Sequence, residues 1–323
     1  MTGLLLIHGF LTCTDDWDLF LPVLEPMYDK VVLFRQPGHA RADEKPCYRE
    51  FKCNTAFDSL EAAVRELERD CDVIDIAGHS MGGGMAIFAA AVSVKVRRAV
   101  LLAPALKYPR PGSFARHKSA VNRLRRLCEA SKEQSLKDAT VHTADNVEHM
   151  FRESIAMFRK RLFPHWSPHN LLTFVRIMHR AEKYIPKVSC PVTVLWGELD
   201  EFIPRRSAET VLARSASKEK TFIRYGAVGH AMMYLGDVRI ILRDVACALA
   251  GENPCDIDTG ECEERIVRRM VAKDDGTVEI TEVMSALKQT DDGVTEVKER
   301  RSYTERPRIR KNKNDEDISK IDD

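Results

Sequence analysis

The sequence has 323 residues and a nearly balanced charge, with 50 basic and 49 acidic side chains and a formal net charge of +1. This balance excludes a basic field over the whole protein, so we expect no nucleic-acid partner. Hydrophobic residues make up 44% of the chain, enough for a sizeable core, and no apolar run approaches the roughly 18 residues of a membrane span.

The cysteines and the N-terminus suggest where the protein works. Nine cysteines are scattered along the chain without a Cys-x-x-Cys pair, so we expect no metal site. The N-terminal sequence MTGLLLIHGF has no basic region before its short apolar run, unlike a secretory signal peptide. An odd number of cysteines without an export signal predicts reduced thiols in the cytoplasm.

Short apolar runs alternate with amphipathic stretches over residues 1–104. Each run is four or five residues long and rich in Leu or β-branched residues, which is typical of strands buried on both faces of a parallel sheet. Between the runs, apolar residues recur at the spacing of an amphipathic helix. The order β-α-β-α predicts an α/β fold with a doubly wound, mostly parallel sheet. The predicted strands are Leu4–Ile7, Val31–Phe34, Val73–Ala77 and Ala99–Leu102.

Residues 105–188 have a different character. They lack evident strand patterns, contain helix-like segments, and carry 17 basic against 7 acidic side chains, a net charge of +10. Beyond this zone two further strands and one helix are predicted at Val192–Trp196, Thr221–Tyr225 and Val238–Leu249. We therefore predict an α/β core of about six strands from residues 1–104 and 189–250, with a helical cap inserted at 105–188.

The residues from Gly251 onward form a third zone. They carry 20 acidic and 14 basic side chains, and Tyr303 is their one aromatic residue. Such a composition offers little apolar surface to offset the entropy of ordering, so it favours a charged, largely disordered tail over 251–323. Asp-Asp-Gly turns at Asp274–Gly276 and Asp291–Gly293 flank alternating segments, so a small hairpin is the alternative.

The most informative motif is Gly78-His79-Ser80-Met81-Gly82, which joins a predicted strand to a predicted helix. A sharp strand-to-helix turn presents a serine hydroxyl at the edge of the sheet only where its neighbours are small, and Gly78 and Gly82 meet this need. The N-terminus of the following helix adds a positive dipole near the hydroxyl. Ser80 is therefore the candidate nucleophile, with an ordinary serine in a glycine-rich turn as the alternative.

A nucleophilic serine needs a base to take its proton and a carboxylate to orient that base. His230 follows the predicted strand that ends at Tyr225, and Asp200 follows the one that ends at Trp196. Because the carboxyl ends of parallel strands gather at one edge of a sheet, the three side chains are expected to meet there. We predict a catalytic triad of Ser80, His230 and Asp200, with Glu201 as an alternative to Asp200.

Acyl transfer also needs hydrogen-bond donors for the oxyanion that develops on the attacked carbonyl. We assign one donor to the backbone N–H of Met81, directly after the nucleophile, and the other to the backbone N–H of Phe10, in the loop after the first strand. His8 precedes this loop and is expected to anchor it by a hydrogen bond, with a catalytic role as the alternative. His79 is expected to be a packed or outward-facing turn residue instead of a second base.

Four segments together resemble the α/β-hydrolase superfamily, and within it the carboxylesterases and monoacylglycerol-lipase-like enzymes: LLLIHGF, GHSMGGG, WGELDEFIP and GAVGHAMM. The functional residues that this resemblance implies are Ser80, Asp200, His230, Phe10 and Met81. It also implies a helical cap after the strand Ala99–Leu102. One departure is Gly38-His39-Ala40, where the family has Gly-His-Gly, and a second is the lack of the family's usual two antiparallel strands before LLLIHGF.

The resemblance and the residues together indicate a serine esterase that works through an acyl-enzyme and uses no cofactor. The expected substrate is a small acyl ester, and the cap suggests an apolar acyl group such as a medium chain or a monoacylglycerol. One alternative keeps the chemistry and changes the bond, as in a thioesterase or a hydrolase of amide or C–C bonds. The other alternative is a non-catalytic binding protein with the hydrolase fold.

The basic character of residues 105–188 bears on partners beyond the substrate. The densest basic cluster is Arg123, Arg125 and Arg126, and on a helix Arg123 and Arg126 share a face. Such a patch suggests transient contact with an anionic lipid surface or an acyl carrier, while a solvated surface partly neutralised by the acidic tail is the alternative.

Overall fold

A computed structural model shows one mixed sheet of nine strands among the residues that it describes. The described residues are 1–41, 43–108, 115–130, 145, 147–149, 152–154, 156, 163–234, 238–257, 264–290 and 293–306. The strands are β1 (Thr2–Ile7), β2 (Lys30–Phe34), β3 (Val73–His79), β4 (Val96–Leu102), β5 (Val192–Gly197), β6 (Glu219–Tyr225), β7 (Glu264–Ala272), β8 (Val278–Thr290) and β9 (Gly293–Glu305). Their order across the sheet is β2-β1-β3-β4-β5-β6-β7-β8-β9.

Helices connect the strands and cover both faces of the sheet. The α-helices are α1 (Leu21–Leu24), α2 (Cys53–Asp70), α3 (Met81–Val92), α4 (Ala115–Ala130), α5 (Pro168–Glu182), α6 (Arg206–Arg214) and α7 (Val238–Ala250). Short 3-10 helices lie at Thr14–Trp17, Glu25–Met27, Phe163–His165, Ile185–Lys187 and Pro254–Asp256. None of the described helices combines the length and the apolar character needed to cross a membrane.

Strands β1 to β6 run parallel, and all of them except the edge strand β2 are mostly buried. Along β1, Leu4 and Leu6 pack on one face of the sheet, whereas Leu5 and Ile7 pack on the other, and all four are fully buried. Helices α2 and α3 contribute to the core on the Leu5 side, and α7 contributes to the core on the Leu4 side. This two-sided burial explains the short continuous apolar runs in the sequence. The predicted doubly wound, mostly parallel sheet is therefore confirmed.

The prediction of a largely disordered tail over 251–323 is wrong for β7, β8 and β9. These strands extend the sheet from the edge of β6 through antiparallel pairs. The average composition hides the apolar positions of these strands: Val267, Ile280 and Leu287 are buried, while many charged side chains between them stay at least partly exposed. The alternative of a hairpin at Asp274–Gly276 is confirmed, with Gly276 at a φ of 79° in the turn. Residues 307–323 lie outside the described residues.

A buried ion pair attaches β7 to helix α7. The side chains of Arg265 and Asp244 are 1% and 0% exposed, and Arg265 Nη2 lies 2.5 Å from Asp244 Oδ1. The hydroxyl of Tyr225, at the end of β6, donates to the same carboxylate. Arg265 also donates to the carbonyl oxygen of Pro254, at 3.1 Å. Because a buried charge is costly unless it is paired, this network holds β7 in its place beside β6.

Between β4 and β5 the described residues contain helices and no strand. Helix α5 begins at Pro168 after Ser167, whose side chain accepts the N–H of Asn170 at 3.2 Å and so caps the helix. Helix α4 places Val121 in an apolar cluster that includes residues of β8 and β9. The helical cap over 105–188 stays a prediction, as do the other domain limits, because parts of this segment lie outside the described residues.

Candidate active site

Ser80 lies at the sharp turn between β3 and α3. Its φ of 56° and ψ of −117° place a non-glycine residue in a rarely populated conformation. A Cβ at Gly78 would lie 2.3 Å from the carbonyl oxygen of Gly82, and a Cβ at Gly82 would lie 2.2 Å from that of Ile7. The N–H of Ser80 donates to the carbonyl of Leu102 at 2.8 Å, which ties the turn to β4. The two glycines are therefore required by close backbone contacts, as the motif predicts.

His230 lies between Ser80 and Asp200. Its Nε2 is 3.0 Å from Ser80 Oγ, and its Nδ1 is 2.9 Å from Asp200 Oδ2. The other carboxylate oxygen, Asp200 Oδ1, accepts the backbone N–H groups of Phe202 at 2.9 Å and Ile203 at 2.6 Å, which fixes the carboxylate against the ring. With the hydrogen on Nδ1 donated to Asp200, Nε2 accepts the hydroxyl of Ser80. The structure thus brings together the three residues predicted for the triad.

The charges around His230 favour its protonated form. Burial lowers the pKa of the imidazole, but the charge and hydrogen bond of Asp200, followed by the charges of Glu201 and Asp16, outweigh burial and raise the pKa above its ordinary value. An imidazole in such surroundings is a stronger proton acceptor than a free one. The ring can therefore take a proton from Ser80 and hold the resulting positive charge.

Asp200 and Glu201 have different positions relative to His230, although they are adjacent in the chain. Asp200 contacts the imidazole ring, whereas Glu201 Oε2 accepts the backbone N–H of His230 at 3.2 Å, and Glu201 Oε1 accepts the hydroxyl of Ser154. His79 Nε2 donates to the backbone carbonyl of His230 at 3.0 Å. Sequence reasoning missed the contact with Ser154, for which the sequence carries no signal. It also missed the contacts of Glu201 and His79 with the main chain of His230.

The two backbone amides predicted to hold an oxyanion lie at the ends of the neighbouring strands β1 and β3. Met81 is the first residue of α3, and Phe10 lies in the turn after β1. Neither N–H has an acceptor among the described residues. His8 anchors this loop as predicted, because its Nε2 accepts the N–H of Gln36 at 3.1 Å and its Nδ1 donates to the carbonyl of Gly9 at 2.9 Å. Burial first, and the nearby His39 second, lower the pKa of His8 to about 3, so its ring is neutral.

The Gly38-His39-Ala40 segment supports the same loop. His39 Nε2 accepts the backbone N–H of Leu11 at 3.3 Å, and its Nδ1 donates to the carbonyl of Pro37 at 3.2 Å. Leu11 has a positive φ of 55°, so the contact holds a strained turn directly after Phe10. Burial lowers the pKa of His39 to about 4, which keeps the ring neutral and able to accept this hydrogen bond.

A mainly apolar pocket of about 280 Å³ opens onto Ser80 and His230. Phe10 forms part of its wall and stacks on Phe174 of α5, with 4.6 Å between the ring centroids. Lys107 lies at the wall with its ammonium 2.6 Å from a carboxylate oxygen of Glu182. The remaining lining residues come mostly from the segment between β4 and β5: Tyr108, Trp166, Leu171, Val175, Met178, Phe202 and Ile203.

No metal-binding group of three or more His, Cys, Asp or Glu side chains occurs among the residues that the structure describes. The groups that the site itself offers are a hydroxyl beside a base, a carboxylate beside that base, and two amides near the hydroxyl. These groups can deliver an alkoxide-like oxygen to an electrophile that enters the apolar pocket.

Comparisons with known proteins agree on the fold. Residues 4–235 match the family model of the serine aminopeptidases, S33, and strands β7 to β9 lie outside the matched residues. A monoacylglycerol lipase from Paleococcus ferrophilus superposes with a TM-score of 0.54 at 18% identity, over 78% of this chain and 95% of that one. The structure reported for the metagenome-derived lipolytic enzymes LipS and LipT gives 0.52 at 18% identity, over 77% and 94% of the chains.

A third similar structure is an enol-lactonase from Burkholderia xenovorans LB400, with a TM-score of 0.51 at 18% identity, over 77% of this chain and 91% of that one. No curated protein sequence matches the chain. At such low identities the structural likeness establishes the architecture and leaves the substrate to be argued from the site itself.

Proposed function

The chain belongs to the serine aminopeptidase S33 family of the α/β-hydrolase superfamily, and from this premise we propose that it is a serine hydrolase of carboxylic esters. Ser80 is the proposed nucleophile, His230 the general base and Asp200 the carboxylate that orients it. The observation that carries the proposal is the position of His230, with Nε2 3.0 Å from Ser80 Oγ and Nδ1 2.9 Å from Asp200 Oδ2. A triad is recognised by this geometry and not by its place in a sequence.

In the proposed acylation step, Ser80 Oγ attacks the carbonyl carbon of the ester while His230 Nε2 takes the hydroxyl proton. The backbone N–H groups of Phe10 and Met81 donate to the oxyanion of the tetrahedral intermediate. When the intermediate collapses, the C–O bond to the alcohol breaks and the imidazolium of His230 gives its proton to the leaving oxygen. The products of this step are a free alcohol and an acyl group on Ser80.

In the proposed deacylation step, a water molecule takes the place of the alcohol. His230 accepts one proton of the water as its oxygen attacks the acyl carbon, and the second intermediate releases Ser80 Oγ, which recovers that proton from His230. The carboxylic acid leaves, and the site returns to its starting protonation state. Asp200 stays ionised throughout and stabilises the transient imidazolium.

The pocket supports an ester with an apolar acyl group as the substrate class. Its walls are aromatic and aliphatic, and Ser80 and His230 lie among them. An aminopeptidase substrate would bring an α-ammonium group near the reacting carbonyl, where a carboxylate partner would be needed. The described lining residues include no carboxylate, and their one charged side chain is the cation Lys107. The lining therefore favours an acyl ester over an aminoacyl amide.

Covalent labelling tests the nucleophile. A fluorophosphonate probe should label the protein on Ser80, and S80A should abolish labelling and lower turnover by about 10⁴- to 10⁶-fold, as removal of a triad serine does. The matched control is S119A, which removes an exposed hydroxyl from α4 and should leave both unchanged. Labelling that persists in S80A would overturn the assignment.

A substrate series tests the acyl-ester proposal. p-Nitrophenyl esters of increasing chain length, monoacylglycerols, acyl thioesters and aminoacyl amides should be compared by kcat/KM. We expect medium-chain esters to give the highest values and aminoacyl amides the lowest. A clear preference for thioesters would indicate a thioesterase instead. A protein that is neither labelled at Ser80 nor active on any member of the series would be a binding protein with this fold.

A further inference from the structure

The main chain of His230 is held on both sides of its Cα atom. Its N–H donates to Glu201 Oε2 at 3.2 Å, and its C=O accepts a hydrogen bond from His79 Nε2 at 3.0 Å. His79 is 2% exposed, and burial first and the charge of His230 second lower its pKa to about 3, so its ring is neutral and serves as a fixed donor. The proposed base therefore has its backbone held in addition to its ring.

The carboxylate of Glu201 is buried and bound by neutral donors. Glu201 is 2% exposed, and its two oxygens accept the N–H of His230 and the hydroxyl of Ser154. Among the described residues no Lys or Arg forms an ion pair with it. Burying a carboxylate that has no Lys or Arg partner in the described part of the chain opposes stability, because two neutral donors replace only part of its hydration. Such a group is better explained by an effect on its neighbour His230 than by a contribution to folding.

Ser154 comes from a different part of the chain than Glu201. It lies 47 positions earlier, in the short helical stretch 152–154 of the segment between β4 and β5, and it is also 2% exposed. The same segment supplies most of the wall of the substrate pocket. The Ser154 hydroxyl therefore links the pocket-forming segment to the loop that carries Asp200 and Glu201.

We propose that Glu201 is a positioning residue for the general base, holding the main chain of His230, and that Ser154 fixes Glu201 in this role. This inference rests on the proposed function, since the placement of His230 matters to a reaction only if His230 acts as its base. The substrate-binding segment and the base are then coupled through one buried carboxylate.

Glu201 affects His230 first through the position of the His230 main chain. The proton moves between Ser80 Oγ and His230 Nε2, which are 3.0 Å apart, and a displacement of about 1 Å in such a pair costs up to about 100-fold in rate. A glutamine at position 201 keeps one acceptor oxygen but turns an NH₂ donor toward the N–H of His230 or the hydroxyl of Ser154. Turned toward Ser154, the NH₂ reverses that hydrogen bond, because the hydroxyl can also accept; turned toward His230, it meets the N–H and the contact with the main chain of His230 is lost.

Glu201 affects His230 second through its negative charge. The charged and titratable groups that face His230 are Asp200, Glu201, Asp16 and His79; the three carboxylates raise the pKa of His230, whereas His79 is neutral. Burial first and the charge of Asp200 second raise the pKa of Glu201, and the hydrogen bond from Ser154 opposes this rise. Ser154 therefore helps to keep Glu201 ionised, and the ionised carboxylate in turn favours the imidazolium.

Three variants and one control separate these two effects. E201Q removes the charge and reverses or breaks one of the two hydrogen bonds, E201D keeps the charge on a side chain that is one methylene shorter, and S154A removes the hydroxyl donor. The control is E198Q, which removes a carboxylate from the same loop, where Glu198 pairs with Arg224 and has no contact with His230. The measurements are kcat, KM and the pH dependence of kcat/KM on the best ester, beside the rate of fluorophosphonate labelling.

We expect E201Q to lower kcat by about 10- to 100-fold with KM changed by less than about 3-fold, and to move the acid limb of the pH profile to lower pH. E201D should lower kcat without moving that limb. S154A should lower kcat in the same direction and should have no further effect in the E201Q background, because it acts through Glu201. E198Q should resemble the wild type in every measurement.

Labelling of the wild type separates failure of this inference from failure of the proposed function. A wild type that is not labelled on Ser80 would overturn the proposed function and the inference with it. If the wild type is labelled, an E201Q protein that matches E198Q in kcat and in its acid limb would overturn the inference alone. The inference would also be overturned if the losses of kcat caused by S154A and by E201Q multiply in the double variant. If E201Q fails to fold, S154A decides: lower kcat at unchanged KM supports the inference, and unchanged kcat overturns it.

Discussion

Replacing Arg265 by alanine tests whether the last three strands are held to the core by the buried network behind β6. Arg265 is 1% exposed, and its guanidinium is the cationic partner of the wholly buried Asp244. In R265A the hydroxyl of Tyr225 remains as a donor to that carboxylate, but the counter-ion is gone. The change leaves a buried charge unpaired and removes the packing of the arginine side chain.

The expected loss is large for a single substitution. Removing one partner of a buried ion pair destabilises a protein by about 3–5 kcal/mol, against a typical total stability of about 5–15 kcal/mol. A matched control lies on the same strand: Arg268 is 39% exposed and 4.0 Å from a carboxylate oxygen of Glu282. Exposed pairs of this kind contribute about 0–1 kcal/mol, so R268A should be nearly neutral.

Equilibrium unfolding in urea measures both variants, and hydrogen exchange shows where the loss acts. R265A should lower the free energy of unfolding by at least about 2 kcal/mol more than R268A, and amides of β7 to β9 should exchange before those of the parallel strands. Equal urea midpoints for the two variants would refute the reasoning. A chain that ends at Gly251 should also be less stable than the full chain, because it uncovers the edge of β6 as well as Asp244.

Other outcomes follow from the site and its surface. D200N should lower kcat by about 10⁴-fold, because the amide favours the wrong tautomer of His230; a loss under 10-fold would contradict the assignment. The raised pKa of His230 places the acid limb of kcat/KM above pH 6.5, since the base must be neutral to take the proton, and a midpoint below that value would contradict the electrostatics. Finally, replacing the three exposed arginines of α4 by glutamine should flatten the salt dependence of kcat/KM on an anionic lipid substrate. The rate on a neutral ester should not change. An equal salt response of the wild type on both substrates would leave a solvated surface as the explanation. These arginines are Arg123, Arg125 and Arg126.

The three candidate residues of the triad were predictable because each follows a strand whose pattern is visible in the sequence. Ser80, Asp200 and His230 come after β3, β5 and β6, and a parallel sheet collects such positions at one edge. The sequence favoured Asp200 but left Glu201 open as an alternative, because the choice depends on which way each side chain turns in a short loop. The amides of Phe202 and Ile203 bind Asp200 and settle that orientation in three dimensions.

The strands after residue 251 show where composition misleads. An average over the segment registers many charges and few aromatic residues, but it does not show which positions a neighbouring strand or helix buries. Val267, Ile280 and Leu287 occupy buried positions of β7 and β8, and the free edge of β6 supplies hydrogen-bond partners for a strand that has little core of its own. Neither the neighbouring strand nor its register can be inferred from the segment alone.

The same strands reach the loops of the candidate site. Leu287 of β8 and Val294 of β9 form one apolar cluster with Val121 of α4 and with Leu199, the residue directly before Asp200, and Ala227 from the loop of His230 packs against it. Both loops that hold the proposed base and its carboxylate therefore rest on the end of a hairpin whose other positions are largely polar or charged. The part of the chain that looks most expendable by composition is thus packed against the residues whose placement the proposed chemistry needs. It does so with a few apolar side chains at the end of the hairpin where β8 meets β9.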